Sequence, residues 1–134
     1  MTTLNTITLI DDDPICHLIS SRMINIFSSL EVESFTDPVK ALDTLQQRAG
    51  LEPPKLPDVI LLDIDMPGMN GWQFLDAFER LPSDVLQKTA VMMLSSSYHS
   101  EDIETSKRYK TVKHFFSKPL TEEKVRLIVG LNNH

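Results

Sequence analysis

Short apolar runs, each ending on a polar residue, alternate along this chain with stretches whose apolar residues recur at helical spacing, and this alternation restricts the fold more than any other feature. The run "ITLI" at 7–10 leads into Asp11, "DVILL" at 58–62 into Asp63, "TAVMML" at 89–94 into Ser95, and "TVKHFFS" at 111–117 into Lys118. A further strand, "EVESF" at 31–35, ends on nothing comparable. Between them, "DPICHLISSRMINIFSSL" carries apolar residues at 15, 18, 19, 23, 26, 27 and 30, and "GWQFLDAFERL" places Phe74, Leu75, Phe78 and Leu81 on one helical face. Asp13-Pro14 and Asp37-Pro38 each read as an N-cap followed by proline in the first turn. Thr121 can cap the last helix, where Glu122 and Glu123 suit the positive end of the dipole and Val125, Ile128 and Val129 face inward. The proline-rich "AGLEPPKLP" at 49–57 is a surface loop, and "PSDVLQK" separates the third helix from the fourth strand.

Apolar strands alternating with helices need a parallel sheet covered on both faces, because each right-handed crossover lays a helix against the sheet. The expectation is an α/β, doubly wound, flavodoxin-like fold: a five-stranded parallel sheet in the order 2-1-3-4-5 flanked by five helices, forming one domain over 1–134 with its core at about 5–131. The segment 100–110 has little apolar surface beyond Ile103 and Tyr109, so its packing is expected to be weak and its position easily shifted.

In such sheets, sites lie beyond the carboxyl ends of the strands. Asp11, Asp12, Asp13, Asp63, Ser95, Ser96 and Lys118 follow strands that are neighbours in the order 2-1-3-4-5, so residues scattered in sequence converge in space. Several carboxylates held together repel one another unless a cation sits among them, and an all-oxygen set partly open to water suits Mg²⁺. Replacing one acid of the set by its amide, Asp12→Asn in particular, is expected to stabilise the metal-free protein. A carboxylate beside Mg²⁺ can also attack phosphorus if other groups take up the charge on the transferred oxygens. Lys118 and the Ser95 hydroxyl are placed to do that, which makes Asp63 a nucleophile.

The motifs "LIDDDP", "LLDIDMPGMNG", "MLSSS" and "FFSKPL", in this order and at these separations, resemble the receiver domain of two-component response regulators, over essentially the whole chain. The resemblance implies that Asp63 is the phosphoacceptor, that Asp11 and Asp12 are the acidic pair holding Mg²⁺, and that the Asp65 backbone carbonyl completes the metal's shell. It implies that Ser95 and Phe115 are the switch residues and that Lys118 is the phosphate-binding lysine, before a proline often joined by a cis bond. Phe115 replaces the commoner tyrosine and lacks a hydroxyl. The implied phosphodonor is a phosphohistidine on a sensor histidine kinase or a histidine phosphotransfer protein. The implied output is a conformational change of the fourth helix, fifth strand and fifth helix toward a downstream protein partner. The short ends resemble those of stand-alone receivers, signalling modules rather than enzymes, with slow self-dephosphorylation.

The competing reading is a haloacid-dehalogenase-like phosphatase, since "LLDIDMPG" also holds an apolar strand followed by Asp-x-Asp with Asp63 as nucleophile. That family normally carries this motif near its N-terminus; here an acid cluster precedes it. The net charge of -6 over 134 residues argues against nucleic acid as a partner. The N-terminus has no basic segment before its short apolar run, so no signal peptide or membrane association is expected, and with a single cysteine, Cys16, the chain reads as cytoplasmic. Cys16 reads as a small core residue, and His17, His99, His114 and His134 share no ligand spacing and read as surface or filler residues. Lys107, Arg108, Lys110 and Lys113 read as a solvated helix end, and Ser97 as part of a polar loop.

Overall fold

Two helices begin where Asp precedes Pro. The Asp13 carboxylate accepts from the Ile15 N–H at 2.9 Å to start α1 (Pro14–Phe27), and Asp37 accepts from Val39 N–H at 2.9 Å to start α2 (Pro38–Ala49). In the computed structural model, which describes residues 4–96 and 99–130, these helices connect β1 (Thr6–Ile10), β2 (Glu31–Phe35) and β3 (Val59–Leu62). There follow α3 (Gly71–Phe78), α4 (Ser83–Leu86), β4 (Ala90–Ser95), α5 (Ser100–Ser106), β5 (Val112–Ser117) and α6 (Glu122–Gly130). The strands form one parallel sheet in the order β2-β1-β3-β4-β5. The expected flavodoxin-like α/β topology is therefore present, with six helices among the described residues rather than five. The extra one, α4, is a single turn inside "PSDVLQK", too short to show a helical period.

Alternating side chains of the strands feed two cores. Ile10, Ile60, Leu62, Val91 and Met93 pack with Ala41, Leu42 and Leu45 of α2 and Phe74, Leu75 and Phe78 of α3. On the other face, Ile7, Leu9, Val59, Leu61, Met92 and Leu94 pack with Ile24 of α1 and Val125 and Ile128 of α6. Each fully buried aliphatic or aromatic side chain contributes about 1.5–3 kcal/mol, so both faces drive the sheet's closure.

α1 buries only part of its apolar set, with Met23 and Phe27 packed against the core beside Ile24. Its buried residues are His17, Ser20 and Ile24, while Ile15, Leu18 and Ile26 are 67%, 55% and 66% exposed and Ile19 is exposed as well. The apolar spacing located the helix, and only its second half, through Met23 and Phe27, marks the inner face.

The end of the α5 segment is better anchored than its start. Tyr109 stacks on Trp72 with ring centroids 5.7 Å apart, and its hydroxyl donates to Asp76 Oδ1 at 2.7 Å. Two residues on, Thr111 N–H and its hydroxyl both donate to Glu79. Within α5 only Ser106 is buried, as the thin apolar content led us to expect. The Lys118–Pro119 peptide bond is cis, as is Glu52–Pro53. Among the described residues, no helix is long and apolar enough to cross a membrane. Ser97 and His134 lie outside the described residues.

Candidate functional site

The carboxyl ends of β1, β3, β4 and β5 bring the expected residues to one edge of the sheet. Asp63 directly follows β3, with its N–H donating to Ile10 O at 2.9 Å. Behind it, Gly71 N–H donates to Ile64 O at 2.8 Å, and a Cβ on Gly71 would lie 2.6 Å from the Asp63 carbonyl, so only glycine lets α3 start this close. Asp11 directly follows β1; its N–H donates to Phe35 O at 3.1 Å, and its Oδ1 accepts from Asp13 N–H at 2.9 Å. That turn leaves Asp12 exposed to solvent between the two.

Asp11, Asp12 and Asp63 each offer a carboxylate oxygen within 4.8 Å of the others, and among the described residues they form the one such group of acids. Three hard oxygens with one carboxylate facing water match a cation that keeps several waters, which is the character of Mg²⁺. Asp65 is exposed and its carboxylate lies outside this group.

From the opposite side, Lys118 reaches in from the residue after β5. Its N–H donates to Ser95 O at 2.7 Å, and its Nζ lies 2.6 Å from Asp11 Oδ2 and 3.5 Å from Asp63 Oδ2. Ser95 is fully buried at the end of β4. Phe115 sits on β5 opposite Met93, half-buried against the same core that Trp72 and Tyr109 pack on. The structure thus gathers Asp11, Asp12, Asp63, Ser95 and Lys118, with Phe115 two residues before Ser117 on the same strand.

The repulsion expected among the acids is not shared evenly. Burial pushes the Asp63 carboxyl up to about 6, and the charge of Asp11 adds to this, against the weaker pull of Lys118. Asp11 is held below its ordinary value: burial raises it, but hydrogen bonds from Cys16, Lys118 and Asp13 N–H outweigh that. Burial also draws the Lys118 ammonium down, and Asp11 and Asp63 together more than reverse it. Lysine neutralises Asp11 first, so Asp63 carries the cost. Asp12 faces solvent, where screening weakens its share, so the amide expected to stabilise the metal-free fold belongs at 63 rather than at 12.

Three contributors escaped the sequence reading. The Cys16 thiol is partly buried against the core, as expected, but it also neighbours Asp11, and burial followed by that acid pushes it up to about 11, so it stays protonated at neutral pH. His17, expected at the surface or as filler, is buried, with Nε2 2.5 Å from the Asp11 carbonyl; a carbonyl only accepts, so Nε2 is the donor. Lys124 on α6 donates to the carbonyls of Ser117 and Pro119, on either side of Lys118. A Cys or His four or five residues beyond an acidic pair, or a Lys six beyond Lys118, has no signal of its own in one sequence.

Residues 7–129 match the family model described as the response regulator receiver domain. The chain belongs to the response regulator receiver family. Among solved structures, a two-component response regulator from Cytophaga hutchinsonii superposes with a TM-score of 0.87 at 29% identity, covering 99% of this chain and 100% of that one. A response regulator from Legionella pneumophila gives 0.79 at 27% identity, covering 97% of this receiver and 99% of that chain. Among curated relatives, the nitrate/nitrite response regulator protein NarL of Escherichia coli K12 is 32% identical over 101 residues, 75% of this chain and 42% of its own length. A protein-glutamate methylesterase/protein-glutamine glutaminase from Vibrio vulnificus is 39% identical over 75 residues, 56% of this chain and 20% of that protein. The receiver thus spans from about a fifth to under half of the length of these curated relatives. The phosphatase reading is not favoured by this family membership, nor by Asp65 lying outside the acid group.

Proposed function

We propose that this receiver accepts a phosphoryl group from a phosphohistidine onto Asp63 in a Mg²⁺-dependent reaction, and signals through the face formed by α5, β5 and α6. The observation that carries the reading is Asp63 itself: a buried carboxylate at a strand end, grouped with Asp11 and Asp12 and faced by the Lys118 ammonium. A carboxylate oxygen of Asp63 attacks phosphorus; the phosphorus–nitrogen bond of the donor breaks, and its electron pair stays on the imidazole nitrogen. Lys118 and the Ser95 hydroxyl meet the transferred oxygens. Asp11, Asp12, Asp63 and the Asp65 carbonyl would hold Mg²⁺, which would supply the positive charge that offsets repulsion between carboxylate and phosphate.

Incubation with acetyl phosphate and Mg²⁺ is expected to add one phosphoryl group by intact mass, labile to hydroxylamine and lost when EDTA replaces the metal. An undiminished adduct in EDTA would count against the reading. The exposed Ile15, Leu18 and Ile19 lie on α1 just beyond the acids, an apolar surface suited to a sensor kinase or phosphotransfer protein that must bring its histidine to Asp63. Ile15→Glu with Leu18→Glu is therefore expected to leave uptake from acetyl phosphate unchanged while slowing uptake from a phosphohistidine protein by at least about tenfold; equal rates would remove this face from the account.

For output, phosphate oxygens drawing in Ser95 would pull on the start of the α5 segment, while Tyr109 and Thr111 hold its end to α3. Beryllofluoride, a phosphoryl mimic, is accordingly expected to change amide exchange most in the first half of 100–110 and around Phe115. A response confined to α2 would contradict this.

A further inference from the structure

We propose that Lys124 is a positioning residue for Lys118. Its ammonium grips the two carbonyls that flank Lys118 and so fixes the point from which that side chain reaches the acids. Lys124 stands in the first turn of α6, and its Nζ lies 2.5 Å from Ser117 O, 3.0 Å from Pro119 O and 3.4 Å from Ser117 Oγ. An ammonium has three donors and no acceptor, and here three oxygens receive them. Glu122 and Glu123 are its sequence neighbours, yet among the described residues Lys124 forms no ion pair with a carboxylate. Its charge is committed to residues 117 and 119.

Residue 118 is fixed from the other side too, since its N–H donates to Ser95 O at 2.7 Å. The peptide before Lys118 is held through Ser117 O, the residue after it through Pro119 O, and its own N–H by β4. Charge-assisted hydrogen bonds are shorter and stronger than neutral ones, so one cation secures both sides of the segment. The need is geometric. Lys118 has a long flexible stem and must present Nζ to Asp11 and Asp63 together, at 2.6 and 3.5 Å. A shift at the root of the stem moves its tip away from where transferred oxygens would sit, and small misplacements in such sites are costly.

This inference rests on the reading of Lys118 as the group that meets the phosphoryl oxygens. The test uses the full chain and compares Lys124→Met, Lys124→Arg and Lys118→Met. Beryllofluoride affinity is measured in saturating Mg²⁺ by ¹⁹F resonance, Mg²⁺ affinity by calorimetry, and thermal melting confirms folding. Lys124→Met is expected to bind beryllofluoride on the order of tenfold more weakly, with Mg²⁺ affinity held within about twofold because Asp11, Asp12 and Asp63 are untouched. Lys124→Arg, which keeps a cation and several donors, is expected to recover most of the loss; if the Met variant does not fold, Lys124→Gln, which removes the charge, carries the same comparison with the same expected weakening. Unchanged beryllofluoride affinity in Lys124→Met, beside weakened affinity in Lys118→Met, would overturn the role given to Lys124 alone. Equal losses of both affinities would overturn it as well, by showing a general loosening. If Lys118→Met itself binds beryllofluoride normally, the reading of Lys118 fails, and this proposal with it.

Discussion

Asp63→Asn is expected to be more stable than the unmodified protein when no metal is present, by on the order of 2 kcal/mol at pH 7.5. Burial and the charge of Asp11 raise the Asp63 carboxyl to about 6 in the folded protein, whereas in the unfolded chain it returns to about 3.9. Between those two values the folded state holds the proton more tightly than the unfolded state does. Stability contributed by this group is therefore full below about pH 4, falls as pH rises through about 6, and stays low above it. Asparagine has no proton to lose. The two proteins should differ least in urea melts near pH 4.5 in EDTA, and the advantage of Asp63→Asn should grow to its plateau by about pH 7. A difference independent of pH, or an asparagine variant that is less stable at pH 7.5, would show that burial at 63 carries no such cost.

Lys118→Met is expected to shift stability the other way. The ammonium lies 2.6 Å from Asp11 and 3.5 Å from Asp63, with only 18% of its side chain exposed. Removing it leaves two buried carboxylates facing each other. Deleting one partner of a buried pair costs about 3–5 kcal/mol, and partial exposure and protonation of one acid reduce this to about 2–3 kcal/mol in metal-free buffer at pH 7.5. Because the acids are then short of a cation, added Mg²⁺ should stabilise Lys118→Met by more than it stabilises the unmodified protein. Combining it with Asp63→Asn should recover part of the loss, since the two changes act on the same charges. Additive effects in the double variant, or no loss in Lys118→Met, would mean that the lysine does not balance the acids.

Much of this arrangement was legible in the chain. The strands of a parallel sheet are covered on both faces, so β3 and β4 appear as unbroken apolar runs, and their ends point to the site. Asp11, Asp12, Asp63, Ser95 and Lys118 are expected together from the sequence because topology alone makes those ends adjacent. The inner face of α1 was legible only in part. Periodicity counts apolar residues without distinguishing those that are buried from those left exposed, and here His17 and Ser20 point in while Ile15, Leu18 and Ile26 point out. The short α4 offers too few residues for a period. The division of charge between Asp11 and Asp63 depends on which acid the Lys118 ammonium meets, and the grip of Lys124 on residues 117 and 119 depends on how α6 lies across the end of β5. Neither follows from spacing.

In the proposed reaction Asp63 becomes an acyl phosphate. Borohydride reduces an acyl phosphate to the alcohol and leaves carboxylates intact, so an aspartyl phosphate is converted to homoserine at the position that carried it. The measurement is peptide sequencing by mass spectrometry after incubation with acetyl phosphate and Mg²⁺ and reduction with borohydride. Homoserine at position 63, absent when Mg²⁺ is withheld, is the result predicted. Homoserine at 11, 12 or 65 instead, or none in a protein shown to carry the phosphoryl group, would contradict it.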